Sequence, residues 1–225
     1  MGRAYFITGT DTGVGKTLVA VSLLRLAREQ GMSTLGLKPV AAGCELIDGQ
    51  WINDDARLLL EASSISVDYP AVNPIALQAA MAPHIAAERE QRQIRCADLI
   101  EHYRPLIHQA DFTVIEGAGG WQVPLNNSET MANLAVGLNC PVVLVVGIRL
   151  GCINHALLTA AAIRQSGLEL AGWVANHICS DMAVMDENIA TLEQRLGAQL
   201  TGRLPWQDEI DMSVFSRQLN LDLLA

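Results

Sequence analysis

Residues 9–17 read GTDTGVGKT, a glycine-rich turn that closes in Gly-Lys-Thr. Where such a turn follows a strand and starts a helix, its backbone N–H groups and the helix N-terminus can cradle phosphate oxygens. Lys16 then reaches the terminal phosphates, and the Thr17 hydroxyl suits Mg2+. The usual phosphate loop has four residues between its two glycines. Here five separate Gly9 from Gly15. The bland alternative is a strand-to-helix turn with no ligand. The strand-like run before the turn and the helical pattern after it favour the nucleotide.

Lysine usage points the same way. Of 15 Lys and Arg residues only Lys16 and Lys38 are lysines. A compact ammonium and a planar guanidinium are not interchangeable against phosphate. Lys38 precedes Pro39 at the end of a second strand-like run, and that placement favours an active-site role over a surface lysine. Glu116 ends the apolar run FTVIE and precedes the glycines GAGG, residues 117–120. An acid there is costly unless it binds something, and Mg2+ wants carboxylate oxygens. Asp55 opens a helical pattern after a long loop, where a simple helix-terminal carboxylate is an equal reading and Asp54 is as good a cap. Asn176 ends a strand-like run and could pair with the edge of adenine, against the plainer role of a turn residue. Trp206, after LP, could wall a base. The segment 149–154 could offer a second helix N-terminus to an anion, or be an ordinary connection.

Such residues need a frame that gathers them. Strand-like runs are expected over residues 4–8, 34–40, 112–117, 141–147, 171–176 and 202–205. Helical patterns fill residues 16–30, 55–62, 95–108, 130–138, 154–166 and 186–196. The alternation predicts an α/β fold of phosphate-loop NTPase type, a mainly parallel sheet with helices on both faces, in one domain over residues 1–225. Ligands of such sheets sit at the carboxyl ends of the strands, where each candidate above falls. Residues 41–54 and 63–93 read as long irregular excursions.

Bulk properties bound the function. The 225 residues carry a net charge of −9, with 50% hydrophobic and 17% charged residues. That disfavours a nucleic-acid or anionic-membrane surface, since both need clustered basic residues. The five cysteines show no C-x-x-C pair, and buried free thiols suit a reducing compartment. The start shows no signal-peptide pattern, and residues 141–148 are too short to span a bilayer. A soluble, cytoplasmic protein is expected. The five histidines lack metal-ligand spacing, and no nucleophile motif argues for covalent catalysis.

Taken together, YFITGTDTGVGKT, LGLKPVAAG, VIEGAGGW…PL, LVVGIRLGCINHALLT and AGWVAN…LPW resemble the ATP-dependent dethiobiotin synthases, in the family's order from residue 5 to about 206. The longer phosphate loop is the family's own form. The resemblance implies a cyclo-ligase that uses ATP and Mg2+ to join 7,8-diaminopelargonate and CO2 or bicarbonate. A carbamate forms on one amine, ATP phosphorylates it, and the second amine closes the ureido ring. By the same resemblance Thr17, Asp55 and Glu116 hold Mg2+, and Lys16, Lys38 and Thr12 act on the reacting groups. The nucleotide set is Gly13, Val14, Gly15, Lys16, Thr17 and Leu18, with Asp55, Glu116, Gly117, Ala118 and Gly119. Asn176, His177, Pro205, Trp206 and Gln207 hold the base. The substrate lies against Thr12, Lys38 and Ala42, and its distal carboxylate meets Leu150, Gly151 and Asn154 of a partner in a homodimer. Family members often carry Ser or Thr in place of Ala42, and some a Tyr in place of Asn188.

Relatives of the same fold that switch by dimerising carry a signature Lys where this chain has Asp11. Cobyrinate-type amidotransferases need an added glutaminase domain, for which the chain has no room. An ATP-binding module without turnover is the rival from another class. Diamine-dependent ATP consumption separates it from the enzyme.

Overall fold

The first strand sets the position of everything that follows. In the computed structural model, which describes residues 2–209 and 211–224, strand β1 runs Arg3–Gly9 and leads through the glycine loop into helix α1, Lys16–Glu29. Then come β2 (Thr34–Leu37), β3 (Val40–Ala42), β4 (Glu45–Ile47), β5 (Gln50–Ile52), α2 (Asp54–Ala62), α3 (Tyr69–Val72), β6 (Ile75–Leu77), α4 (Pro83–Arg89) and α5 (Cys96–Tyr103). The second half holds β7 (Phe112–Gly120), α6 (Met131–Leu138), β8 (Val142–Ile148), α7 (Cys152–Gln165), β9 (Leu170–His177), α8 (Met185–Leu196), β10 (Leu200–Leu204) and α9 (Met212–Ser216).

Among the described residues six strands form one sheet in the order β10-β9-β8-β1-β7-β2, every neighbouring pair parallel. The chain steps from β1 out to β2, returns to β7, and then crosses β1 to β8. That reversal beside β1 opens a crevice at the carboxyl ends of the strands.

Side-chain alternation explains the apolar runs. Tyr5 and Ile7 of β1, and Val143 and Val145 of β8, pack with Val19, Leu23 and Leu24 of α1. Phe6, Val142, Leu144 and Val146 point the other way, toward the layer of α5 to α8. Successive residues of a strand face opposite sides, and both sides are covered, so these strands have no polar face to show.

The excursions expected to be irregular carry structure. β3 pairs in parallel with β6, and β4 and β5 form a hairpin. Asp48 (φ 49°) and Gly49 (φ 82°) both lie in the left-handed region, as a two-residue hairpin turn demands. The strand expected over residues 34–40 divides at Lys38. Its N–H donates to the Val72 carbonyl at 2.9 Å, and Pro39 has no N–H to give a ladder. The helix expected over residues 95–108 is the shorter α5. The expected 112–117 strand continues through its glycines to Gly120, so Glu116 lies inside β7. Helix α2 is capped by neither aspartate. Asn53 accepts from the Ala56 N–H at 3.3 Å, and Asp54 and Asp55 occupy the first turn, where carboxylates suit the helix dipole.

Candidate nucleotide and phosphate-transfer site

Sheet register builds the centre of the site. Leu37 of β2 stands opposite Ile115 of β7, so Lys38 emerges from the sheet level with Glu116, whose other neighbour is Ile7 of β1. Lys38 Nζ lies 2.5 Å from Glu116 Oε1, with Glu116 1% and Lys38 4% exposed. The first turn of α2 brings Asp55 Oδ2 to 3.1 Å from the same ammonium. From the first turn of α1, Thr17 Oγ1 donates to Glu116 Oε1 at 2.9 Å. Two amide hydrogen bonds from Asn73, to the Lys38 carbonyl at 2.7 Å and the Ile75 carbonyl at 3.3 Å, pin the turn that carries Lys38.

The glycine loop closes the other side. Gly15 precedes α1 with φ 90° and no side-chain cap, so first-turn N–H groups are left without an intrahelical partner. A Cβ there would also collide with the Asn176 amide. That amide donates to the Val14 carbonyl at 2.9 Å, tying the loop to the end of β9. Lys16, 7% exposed, donates to the Asp11 carbonyl at 3.1 Å, and the Asp11 carboxylate pairs at 2.6 Å with Arg149, which directly follows β8.

Electrostatics follow from burial and proximity. Burial lowers the pKa of Lys16, against the opposing pull of Glu116. Burial also works against the charge on Lys38, yet Glu116 and Asp55 outweigh it and hold its pKa above the ordinary lysine value. Burial pushes Glu116 up, and Lys38 draws it only partly back. For Asp55 the same burial effect loses to Lys38, and its pKa falls.

These groups line a cavity of about 710 Å3. It gathers Thr12, Gly13, Gly15, Lys16, Thr17, Lys38, Ala42, Asp55, Glu116, Ala118 and Gly119 of the expected set, and adds Asn53 and an apolar wall of Val40, Ala41, Ala80, Met81 and Val123. Val14 is buried behind the loop, Leu18 is partly buried, and Gly117 is buried within β7. Asn176 and His177 end β9. The His177 Nε2 is buried without a hydrogen-bond partner, and burial, with Arg203 nearby, lowers its pKa. Pro205, Trp206 and Gln207 follow β10, with Trp206 exposed. Leu150, Gly151 and Asn154 are exposed around the N-terminus of α7, outside the cavity lining. Sequence patterns missed Asn53, Asn73 and the Asp11–Arg149 pair. Only Asn53 left a signal, an Asn directly before two acids at a helix start.

The donor chemistry fits a hard divalent cation. Two carboxylates and a hydroxyl converge, Glu116 Oε2 is buried without a hydrogen-bond partner, and phosphate oxygens and water complete such sets. Among the described residues no cluster of three His, Cys, Asp or Glu forms a separate metal centre, and no helix is long and apolar enough to cross a membrane.

A parallel sheet with a glycine loop, lysine and threonine at its switch point is a phosphate-loop nucleotide-binding protein of the NTPase class. The MinC:MinD cell division protein complex of Aquifex aeolicus is similar in fold, with TM-score 0.59 and 15% identity over 96% of this chain and 85% of that one. A family model described as an AAA domain matches residues 3–213. The ATP-dependent dethiobiotin synthetase BioD of Cellvibrio japonicus is 56% identical over 97% of this chain and 96% of its own length. That of Pseudomonas aeruginosa is 49% identical over the same shares. The chain belongs to the ATP-dependent dethiobiotin synthetase family.

Proposed function

We propose that this chain is a cyclo-ligase that uses Mg2+ and ATP to close the ureido ring of dethiobiotin from 7,8-diaminopelargonate and CO2, a step of biotin synthesis. The observation that carries this is the meeting of both lysines of the chain with two carboxylates in one cavity that also has an apolar wall. The polar half suits phosphates and a carbamate, and the apolar half suits a hydrocarbon chain.

One amine of the substrate attacks CO2 and loses a proton, giving a carbamate. A carbamate oxygen then attacks the terminal phosphorus of ATP, and ADP leaves. The second amine attacks the carbamate carbon, phosphate leaves with the bonding pair, and the ring closes. No covalent bond to the protein is needed, so the work is positioning and charge neutralisation. Lys16 bridges the terminal phosphate and the carbamate. Lys38 neutralises charge on the carbamate and on the transferring group. Thr12 and the loop N–H groups orient the phosphates. Thr17, Asp55 and Glu116 would hold Mg2+, which supplies charge neutralisation across the phosphates when bound. Leu18 and residues 117–119 flank the nucleotide, and Asn176, His177 and the 205–207 turn hold the base. Substrate would also touch Ala42, and its tail carboxylate would meet Leu150, Gly151 and Asn154 of the partner in a homodimer in the cytoplasm.

The test is phosphate release from MgATP with bicarbonate, with and without 7,8-diaminopelargonate. Release that depends on the diamine is expected. Release indifferent to it would return the chain to a nucleotide switch or a binding module.

A further inference from the structure

Lys38 occupies a place that the proposed chemistry needs for something else. Its ammonium bridges Asp55 Oδ2 and Glu116 Oε1 at 3.1 and 2.5 Å, and the Thr17 hydroxyl bonds the same Glu116 oxygen at 2.9 Å. These are the three residues suited to a divalent cation, and an ammonium already satisfies two of them. We propose that Lys38 is the tethered counter-ion of the nucleotide-free site, an inference that rests on the nucleotide and metal reading above. It excludes a free divalent cation, admits one only together with nucleotide, and is released toward the substrate when that complex enters.

Charge balance carries the argument. The nucleotide-free cavity holds Lys16 and Lys38 against Asp55 and Glu116, which is neutral overall. A divalent cation arriving alone would leave two unmatched positive charges in a buried space and would stand against the Lys38 ammonium at ion-pair distance. Uncompensated charge in such a place is strongly disfavoured. A divalent cation arriving on ATP brings net negative charge, which the two lysines then meet. The anchoring also fits. Asn73 and the Val72 carbonyl fix the Lys38 backbone, while the ammonium sits at the end of a flexible stem. Glu116 Oε2 has no hydrogen-bond partner, so the lysine leaves the carboxylate incompletely satisfied.

The test uses the full chain and Mn2+ as probe, with protein-bound metal read by equilibrium dialysis as the excess of Mn2+ on the protein side over the side that holds buffer or nucleotide alone. The wild type is expected to take up Mn2+ only when ATP is present. Lys38→Met should bind Mn2+ without nucleotide at least about tenfold more tightly than the wild type, and Lys38→Arg, which keeps the charge, should behave as the wild type does. Wild-type uptake of Mn2+ that is equally tight with and without ATP would overturn the exclusion while leaving the nucleotide reading intact. A folded Lys38→Met with no gain would overturn it too. The wild-type arm alone suffices if that variant does not fold. Absence of Mn2+ uptake even with ATP would overturn the nucleotide and metal reading, and this inference with it.

Discussion

Lys16 is nearly buried, and its lowered pKa has a consequence for ligand binding. In the nucleotide-free protein burial favours loss of its proton below the ordinary value of 10.5. A bound phosphate favours the charged form. Nucleotide affinity is therefore full below the free-state pKa and falls as pH rises through it, earlier than for an exposed lysine. Titrating the MgATP dissociation constant against pH should show this alkaline loss, and Lys16→Arg, whose guanidinium stays charged, should remove it. Flat affinity, or the same slope in the arginine variant, would discard the assignment. The stability of the nucleotide-free fold has the opposite sign. Between the lowered pKa and 10.5 the unfolded chain binds the extra proton, so Lys16 adds stability as pH rises through that window. Lys38, with its pKa raised, loses its contribution only above 10.5. At this scale much of the site was legible, because Lys16, Thr17 and Lys38 come after strand-like runs and Glu116 closes the apolar stretch FTVIE within β7. Asp55 was not, since its approach to Lys38 depends on how α2 packs. Nor was the bond from Asn176 to Val14, which joins residues far apart in the chain.

Among the elements, helix α2 depends on its cap. Asn53 accepts from the Ala56 N–H, donates its own N–H to the Tyr69 hydroxyl oxygen at 2.8 Å, and lines the cavity beside Asp55. Asn53→Ala should lower unfolding free energy by about 1 kcal/mol, read from the urea midpoint. It should also weaken MgATP binding, because the turn that presents Asp55 loosens. Asn53→Ser restores a capping oxygen and should recover most of both effects. Equal losses in the serine and alanine variants would remove the cap from the account. The elements show where pattern reading stops. Buried strands such as β8 announce themselves because both faces are apolar. The Asp48-Gly49 turn carried a clear hairpin signal, yet its short flanking strands were too brief and too exposed to show alternation. β3 and β6 are only three residues each, and their pairing is a tertiary fact.

For the whole molecule, the net charge of −9 contrasts with a site whose two lysines are buried among acids, so attraction of anions is local. The surface offers a different signal. Leu150, just before α7, is 92% exposed and Leu158, in its middle, 63%, with Val184 exposed where α8 begins, and α7 packs against α8. Water-exposed leucines along one helical region suit a partner surface. In the proposed homodimer this region meets the other copy and places the α7 N-terminus, uncapped by any side chain, at the tail of the partner's substrate. Leu158→Asp should then give monomers in sedimentation velocity. Those monomers should still bind MgATP, because the phosphate loop and its carboxylates come from one chain. They should lose diamine-dependent phosphate release chiefly through a raised KM for the diamine, because the tail contact is lost while the reacting end keeps both lysines. A monomeric variant with an unchanged KM would separate the interface from substrate recognition, and a wild type that sediments as a monomer would remove the dimer from the proposal.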